Sequence, residues 1–216
     1  MRIVFDLDGT LIDSAPDIHA AANRVLEAEG LPPVSFAASR DFVGKGAKVF
    51  VERLERAAGG ANLPERTARM RVLFAEEYLR AHHLTTVYPG VPEALDRLRG
   101  AGWRLGLCTN KPMGPTRAVL AHLGWTEAFE VVIAGDSLPV NKPDPAPLFA
   151  ALSPLGDGPA LFVGDSEVDA GTAQAAGIAF ALYAQGYRKT PVGAIPHSAA
   201  FDDWSRLPAL AREIAR

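Results

Sequence analysis

Ile3-Val4-Phe5-Asp6-Leu7-Asp8-Gly9-Thr10 decides how this 216-residue chain is read. Three consecutive apolar residues predict a short buried strand, with two carboxylates one residue apart at its end. Side chains alternate along a strand, so Asp6 and Asp8 are expected on the same side of it. Gly9 lets the backbone turn sharply where the strand stops. Two anions this close repel each other unless a cation or a shared proton lies between them. The stretch therefore points to a magnesium site or an acid–base pair at the mouth of a sheet.

Four further apolar runs read as buried strands, at residues 105–108, 131–134, 161–163 and 179–183. From residue 105 onward they alternate with helical patterns, and a further such pattern precedes them; the four lie near 91–99, 115–123, 145–152 and 167–176, and a last helix is expected over 204–215. Alternation of this kind predicts parallel pairing with right-handed crossovers. The fold class is α/β, a Rossmann-like three-layer core built on a parallel sheet.

The first crossover is anomalous. Residues 14–84 separate strand one from the next strand-helix units and read as helix. Ser14-Ala15-Pro16-Asp17 has capping-box spacing, followed by a stripe of Ile18, Ala22, Val25 and Leu26. A second helix is expected over 40–58, with Phe42, Val43, Val49, Phe50 and Leu54 on its apolar face, and a third over 65–81. Three helices between two strands form a satellite bundle. The expected organisation is an all-helical cap at 14–85 inserted into a core made of 1–13 and 86–216.

Apolar residues make up 48% of the chain and charged residues 22%, a balance that supports a packed core. The net charge of −3 gives no electrostatic reason to expect nucleic acid or an anionic membrane as partner. One cysteine, Cys108, excludes an internal disulfide and any cysteine-based zinc cluster. The first residues run straight into a strand pattern without a signal-peptide stretch, so a cytoplasmic protein, monomer or homodimer, is expected.

In parallel sheets, functional groups gather at the carboxyl ends of the strands. Strand one ends in Asp6 and Asp8, strand two in Thr109-Asn110-Lys111. The third leads through Gly135-Asp136 into Asn141-Lys142-Pro143-Asp144, and the fourth ends in Gly164-Asp165-Ser166-Glu167-Val168-Asp169. Carboxylates, a hydroxyl and a lysine thus converge on one edge. Magnesium takes a few carboxylates plus water and phosphate oxygens, a set that Asp6, Asp8 and Asp165 can supply. A carboxylate can also attack phosphorus to give an acyl phosphate. Lys142 and Thr109 suit the charge that develops there.

These motifs resemble, over essentially the whole chain, the haloacid dehalogenase superfamily and its small-molecule phosphatases with a helical cap. Asp6-Leu7-Asp8-Gly9-Thr10, Thr109-Asn110, Lys142-Pro143, and Gly164-Asp165 followed by Asp169 occur in the family's order. The resemblance implies that Asp6 is the nucleophile and Asp8 the general acid and then base. It implies that Thr109 and Lys142 grip the phosphoryl group, and that Asp165 completes a Mg2+ shell with Asp6 and the Asp8 carbonyl. Dehalogenases of the family lack the second aspartate, so Asp8 favours phosphoryl chemistry. Asp13-Ser14-Ala15-Pro16-Asp17, Val43-Gly44-Lys45-Gly46-Ala47 and Thr109-Asn110-Lys111-Pro112 look most like bacterial phosphoglycolate phosphatases. That likeness implies a small phosphorylated metabolite as partner, 2-phosphoglycolate first, with Asn110 and the cap loop Gly44, Lys45 and Gly46 among its contacts.

Plainer readings stand beside these. Ser166 and Asp169 have capping-box spacing, so Asp169 serves its helix, the outer layer of the site, or both. Asp144-Pro145 reads as a helix start, Asp136 as a loop acid and Cys108 as an inert core thiol. The five histidines have no metal-ligand spacing, and His82-His83 reads as the exposed end of a cap helix. The same chemistry could act on pyrophosphate, a sugar phosphate or a nucleotide. A β-phosphoglucomutase would carry a cap histidine twelve residues after the nucleophile; here that residue is Ile18, with His19 one place off. A phospho-acceptor receiver domain is disfavoured by the long helical insertion.

Overall fold

A computed structural model describes residues 1–61 and 63–214. The chain opens with β1 (Arg2–Phe5) and a short β2 (Ile12–Asp13). It then makes four helices, α1 (Ala15–Ala28), α2 (Phe36–Phe42), α3 (Ala47–Ala57) and α4 (Pro64–Arg80). It returns through β3 (Thr86–Val87) and alternates α5 (Val91–Gly100), β4 (Arg104–Cys108), α6 (Met113–His122), β5 (Val131–Ile133), α7 (Ala146–Leu152), β6 (Ala160–Gly164), α8 (Glu167–Ala176) and β7 (Ala179–Tyr183). β8 (Ala199–Phe201) and α9 (Leu207–Ile214) finish the fold.

One six-stranded parallel sheet has the order β5-β4-β1-β6-β7-β8. The three-layer α/β expectation holds. Alternation along β1 sends Ile3 and Phe5 into a core with α5, α6 and α9, and Val4 into another with α7 and α8. Trp204 is fully buried in the first, its ring centroid 6.2 Å from Phe5 and 5.3 Å from Phe201. Truncating a side chain of that size costs about 3–5 kcal/mol. The helical bundle has a core of its own, in which Phe50 stacks on Phe74 at 4.9 Å.

The two passages between sheet and bundle are paired with each other. β2 and β3 form an antiparallel ribbon, extended by the Tyr88 amide donating to the Leu11 carbonyl at 3.1 Å. No described helix is long and apolar enough to cross a membrane.

Several expectations need correction. The helix expected over 40–58 is two helices, because Gly44 and Gly46 adopt φ of 111° and 82° and break the run between α2 and α3. The bundle therefore has four described helices. β8 and the β2–β3 ribbon were not anticipated, because elements of two or three residues carry too little pattern. Residues 204–206 form a 3-10 turn ahead of α9; the expected helix end at 215 lies outside the described residues. Ser14 does precede α1, but it makes no side-chain cap. Its hydroxyl donates to Asp8 instead, while Asp17 accepts from Leu84 and Thr85. Histidines far apart in sequence also meet: His82, His83 and His122 cluster where bundle and sheet adjoin.

Candidate active site

Strand order reverses at β1, with β4 and β5 on one side and β6, β7 and β8 on the other. Chain connections diverge at such a point and leave a crevice at the strands' carboxyl ends. Asp6 leaves β1 there, Thr109 leaves β4, and Asp165 leaves β6. All three are buried, and all line one cavity of about 360 Å³. Ile18, Phe50 and Phe74 of the bundle supply its apolar wall.

The strand itself stops at Phe5, so strict alternation does not carry through to Asp8. Both carboxylates line the cavity, but each meets its own lysine. Lys142 Nζ lies 2.8 Å from Asp6 and 2.6 Å from Asp169, all three being buried. Burial alone would lower the Lys142 pKa, yet Asp169 and Asp6 outweigh it and hold the ammonium above the usual lysine range. On the other side Asp8 Oδ1 accepts from the Ser14 hydroxyl at 2.5 Å and lies 3.3 Å from Lys111 Nζ. Lys111 also donates to the Tyr78 hydroxyl at 2.8 Å. Burial lowers its pKa, with Asp8 opposing the shift.

Asp169 both caps α8 and contacts Lys142. Its Oδ2 accepts from the Ser166 amide at 3.1 Å and from the Ser166 hydroxyl at 2.6 Å, completing the capping box of α8. Its Oδ1 holds Lys142. Asp165 accepts from Thr10 Oγ1 at 2.8 Å and from the Tyr187 amide at 2.5 Å. Gly9 permits this approach, since a Cβ there would fall 2.5 Å from Asp165 Oδ2.

Asn110 lines the cavity, and its side chain is a brace between three segments. Its amide donates to the Gly44 carbonyl at 2.9 Å and the Lys142 carbonyl at 3.0 Å, and its oxygen accepts from the Lys142 amide at 3.0 Å. Gly44 and Gly46 border the cavity, while Lys45, Arg53 and Lys189 bring cationic side chains to it. Lys45 is exposed. Asp136 accepts the first amide of α6, Asp144 accepts the Ala146 amide at the start of α7, and neither lines the cavity. Cys108 is fully buried, and burial pushes its thiol up to about 12.

The carboxylates form a donor set for a hard divalent cation. One oxygen from each of Asp6, Asp165 and Asp169 lies within 4.8 Å of the others. Lys142 pairs with Asp6 and Asp169 and Lys111 pairs with Asp8, while Asp165 meets neutral donors, the Thr10 hydroxyl and the Tyr187 amide. Burial pushes Asp6 up to about 7 despite Lys142, and burial raises Asp165 as well, Asp169 and Asp6 adding to the shift. Buried carboxylates raised in this way gain from a cation that restores their charge. The residues present therefore fit a hard divalent cation.

Lys111, Tyr78, Ser14 and Tyr187 are site residues that sequence reasoning did not assign. Lys111 carried a signal, following Thr109 and Asn110 directly at the end of β4. Tyr78 and Tyr187 had none, since each reaches the site from a remote segment.

The sequence pattern of the haloacid dehalogenase-like hydrolases matches residues 1–177. The chain is 48% identical over 213 residues to the phosphoglycolate phosphatase of Cereibacter sphaeroides, covering 98% of each, and 46% identical over 208 residues to that of Rhodobacter capsulatus, covering 96% of this chain and 95% of that one. Its structure is similar to that of a predicted phosphoglycolate phosphatase from Haemophilus somnus, with a TM-score of 0.90 and 31% identity over 97% of this chain and 96% of that one. It is also similar to CbbY from Rhodobacter sphaeroides, solved with phosphate, at a TM-score of 0.81 and 25% identity over 95% of both chains. With its strand ends, its lysine-partnered aspartates and the matched pattern in agreement, this chain belongs to the haloacid dehalogenase-like hydrolase family.

Proposed function

We propose that this chain is a magnesium-dependent phosphomonoesterase that works through an aspartyl phosphate on Asp6, with 2-phosphoglycolate as its substrate. The observation that carries the reading is the division of partners between two neighbouring carboxylates: Asp6 is held by Lys142, and Asp8 by Ser14 and Lys111. One carboxylate is thus oriented as a charged attacker and the other as a proton carrier with a hydroxyl at hand.

Asp6, Asp165 and the main-chain carbonyl of Asp8 would hold Mg2+, which when bound offsets phosphoryl charge and orients the phosphate. The protein's own residues perform the rest. An Asp6 oxygen bonds to phosphorus as the ester P–O bond breaks, and protonated Asp8 gives its proton to the departing oxygen. Asp8, now a carboxylate, takes a proton from water as that water bonds to phosphorus. The Asp6–phosphorus bond breaks, releasing orthophosphate and restoring both side chains. Lys142 and the Thr109 hydroxyl grip the phosphoryl oxygens. Asn110 braces Lys142 against the Gly44 loop.

Residues 14–85 act as a cap in this reading. The bundle closes over the sheet edge to exclude bulk water, flexing near residues 11–14 and 85–90. Lys45, Arg53 and Lys189 at the cavity favour a substrate bearing a carboxylate as well as a phosphate. The sequence likeness to phosphoglycolate phosphatases supports the same choice.

Phosphate release from 2-phosphoglycolate should vanish on chelation and fall at least about 10³-fold in Asp6→Asn. Full activity in Asp6→Asn would remove the nucleophile assignment. A panel containing pyrophosphate, sugar phosphates and nucleotides, compared by kcat/KM, tests the substrate. Lys45→Ala should raise KM for phosphoglycolate up to about fivefold, as expected for one exposed ionic contact. An unchanged KM would take Lys45 out of substrate recognition.

A further inference from the structure

Three of the five histidines meet away from the carboxylate cavity, at the seam between bundle and sheet. His82 and His83 follow the end of α4, and His122 is the last residue of α6. Their ring centroids lie 4.5 Å (His82–His83), 5.2 Å (His82–His122) and 5.5 Å (His83–His122) apart. One nitrogen from each ring lies within 4.8 Å of the other two.

The cluster has the character of a ligand set. Nδ1 of His82 is buried with no well-aligned hydrogen-bond partner, whereas His83 and His122 are exposed. The backbone next to the pair is anchored by Asp17, which accepts from the Leu84 amide at 2.9 Å and the Thr85 hydroxyl at 2.7 Å. In a tetrahedral zinc site with bonds near 2.0–2.1 Å, ligand nitrogens stand about 3.3 Å apart. Reaching that spacing from within 4.8 Å needs the rings to rotate, and His83 and His122 are exposed.

We propose that His82, His83 and His122 bind a divalent transition-metal cation of the zinc, cobalt or nickel class, with water completing the shell. Imidazole nitrogens select this class over magnesium, which prefers the oxygen donors of Asp6 and Asp165. The two sites therefore sort metals by donor type. Because two ligands come from the segment after α4 and one from α6, the bound ion would staple the bundle to the sheet.

The test is calorimetric titration of the untagged chain with Zn2+, in a large excess of Mg2+ to occupy the carboxylates. One tight Zn2+ per chain is expected. His83→Ala and His122→Ala should each weaken it at least about tenfold, while Asp165→Asn leaves it unchanged. Zn2+ should also raise the Tm of the wild-type chain and not that of the His83→Ala/His122→Ala double variant. Both substituted rings are exposed, and equal Tm values without zinc verify that the variants fold. No Zn2+ binding under excess Mg2+, or binding that survives the double variant, overturns the proposal.

Discussion

Asp165 accepts a hydrogen bond from the main-chain amide of Tyr187 at 2.5 Å, and the phenol of the same Tyr187 accepts the amides of Ser14 and Ala15 at 2.8 and 3.0 Å. One residue thus connects a carboxylate at the end of β6 to the first turn of the bundle. The phenol also donates to Asp13, and Arg40 of α2 lies over its ring at 5.1 Å. Tyr187→Phe leaves the contact to Asp165 intact and strips the Ser14 amide of its acceptor, while the Ala15 amide keeps Asp13 Oδ1 at 3.2 Å. The expected cost is about 1–3 kcal/mol, read as a Tm lower by about 3–10 °C in a chain of this size. An unchanged Tm would show that water replaces the phenol without penalty.

Magnesium should stabilise this chain more as pH rises. Asp6 stands at about 7 in the folded chain against an ordinary 3.8, so between those values the folded state keeps a proton that the unfolded state has released. The contribution of Asp6 to the stability of the metal-free chain therefore falls as pH climbs from about 4 to 7. The upward shift of Asp165 acts in the same direction. Cation binding needs both groups ionised, so the gain in Tm on adding Mg2+ should be larger at pH 7.5 than at pH 5. Asp6→Asn should flatten the metal-free slope. The same metal-free dependence of Tm on pH in wild type and Asp6→Asn would contradict the assignment.

Capping and positioning by Asp169 can be separated. Ser166→Ala removes cap contacts and should cost about 1 kcal/mol, a loss of about 2–4 °C in Tm, with kcat within a few-fold of wild type. Asp169→Asn should add a fall in kcat of about 10²-fold, because Lys142 loses the charge that aims it at the phosphoryl site. Equal kcat in the two variants would reduce Asp169 to a helix cap.

Lys111 should matter to turnover through Asp8. Lys111→Met removes the ammonium 3.3 Å from that carboxylate and is expected to lower kcat by about 10²–10³-fold. Tyr78→Phe removes one acceptor from Lys111 and should cost roughly fivefold, in line with a single hydrogen bond. Wild-type kcat in Lys111→Met, at an unchanged Tm, would confine Lys111 to packing against the Tyr78 ring, 4.1 Å away.

The sheet and its candidate site edge were legible because Asp6, Thr109 and Asp165 directly follow apolar runs, with Lys142 in the loop after β5. Asp6, Thr109 and Asp165 need no long-range information to be found; a strand end and a short polar motif suffice. Tyr78 and Tyr187 need the folded chain, since nothing local distinguishes them from ordinary aromatics. The break between α2 and α3 was visible in Gly44 and Gly46, yet the apolar face runs on from Val43 to Val49 and masks it. Ser14 shows the limit of motif spacing. Its hydroxyl had a cap and a carboxylate in reach, and the carboxylate, a charged acceptor, wins. His122 joins His82 and His83 only once α4 has packed on α6.

The β2–β3 ribbon has a consequence for how this molecule can be rebuilt. Because the chain leaves the sheet and re-enters it through two hydrogen-bonded neighbours, everything between residues 13 and 86 is a loop with adjoining ends. Such a loop can be shortened, enlarged or exchanged without altering strand order or moving Asp6, Thr109 or Asp165. The groups that end β1, β4 and β6 and the wall that the bundle lends the cavity can therefore change apart, except where Ser14 meets Asp8, Tyr78 meets Lys111 and Gly44 meets Asn110.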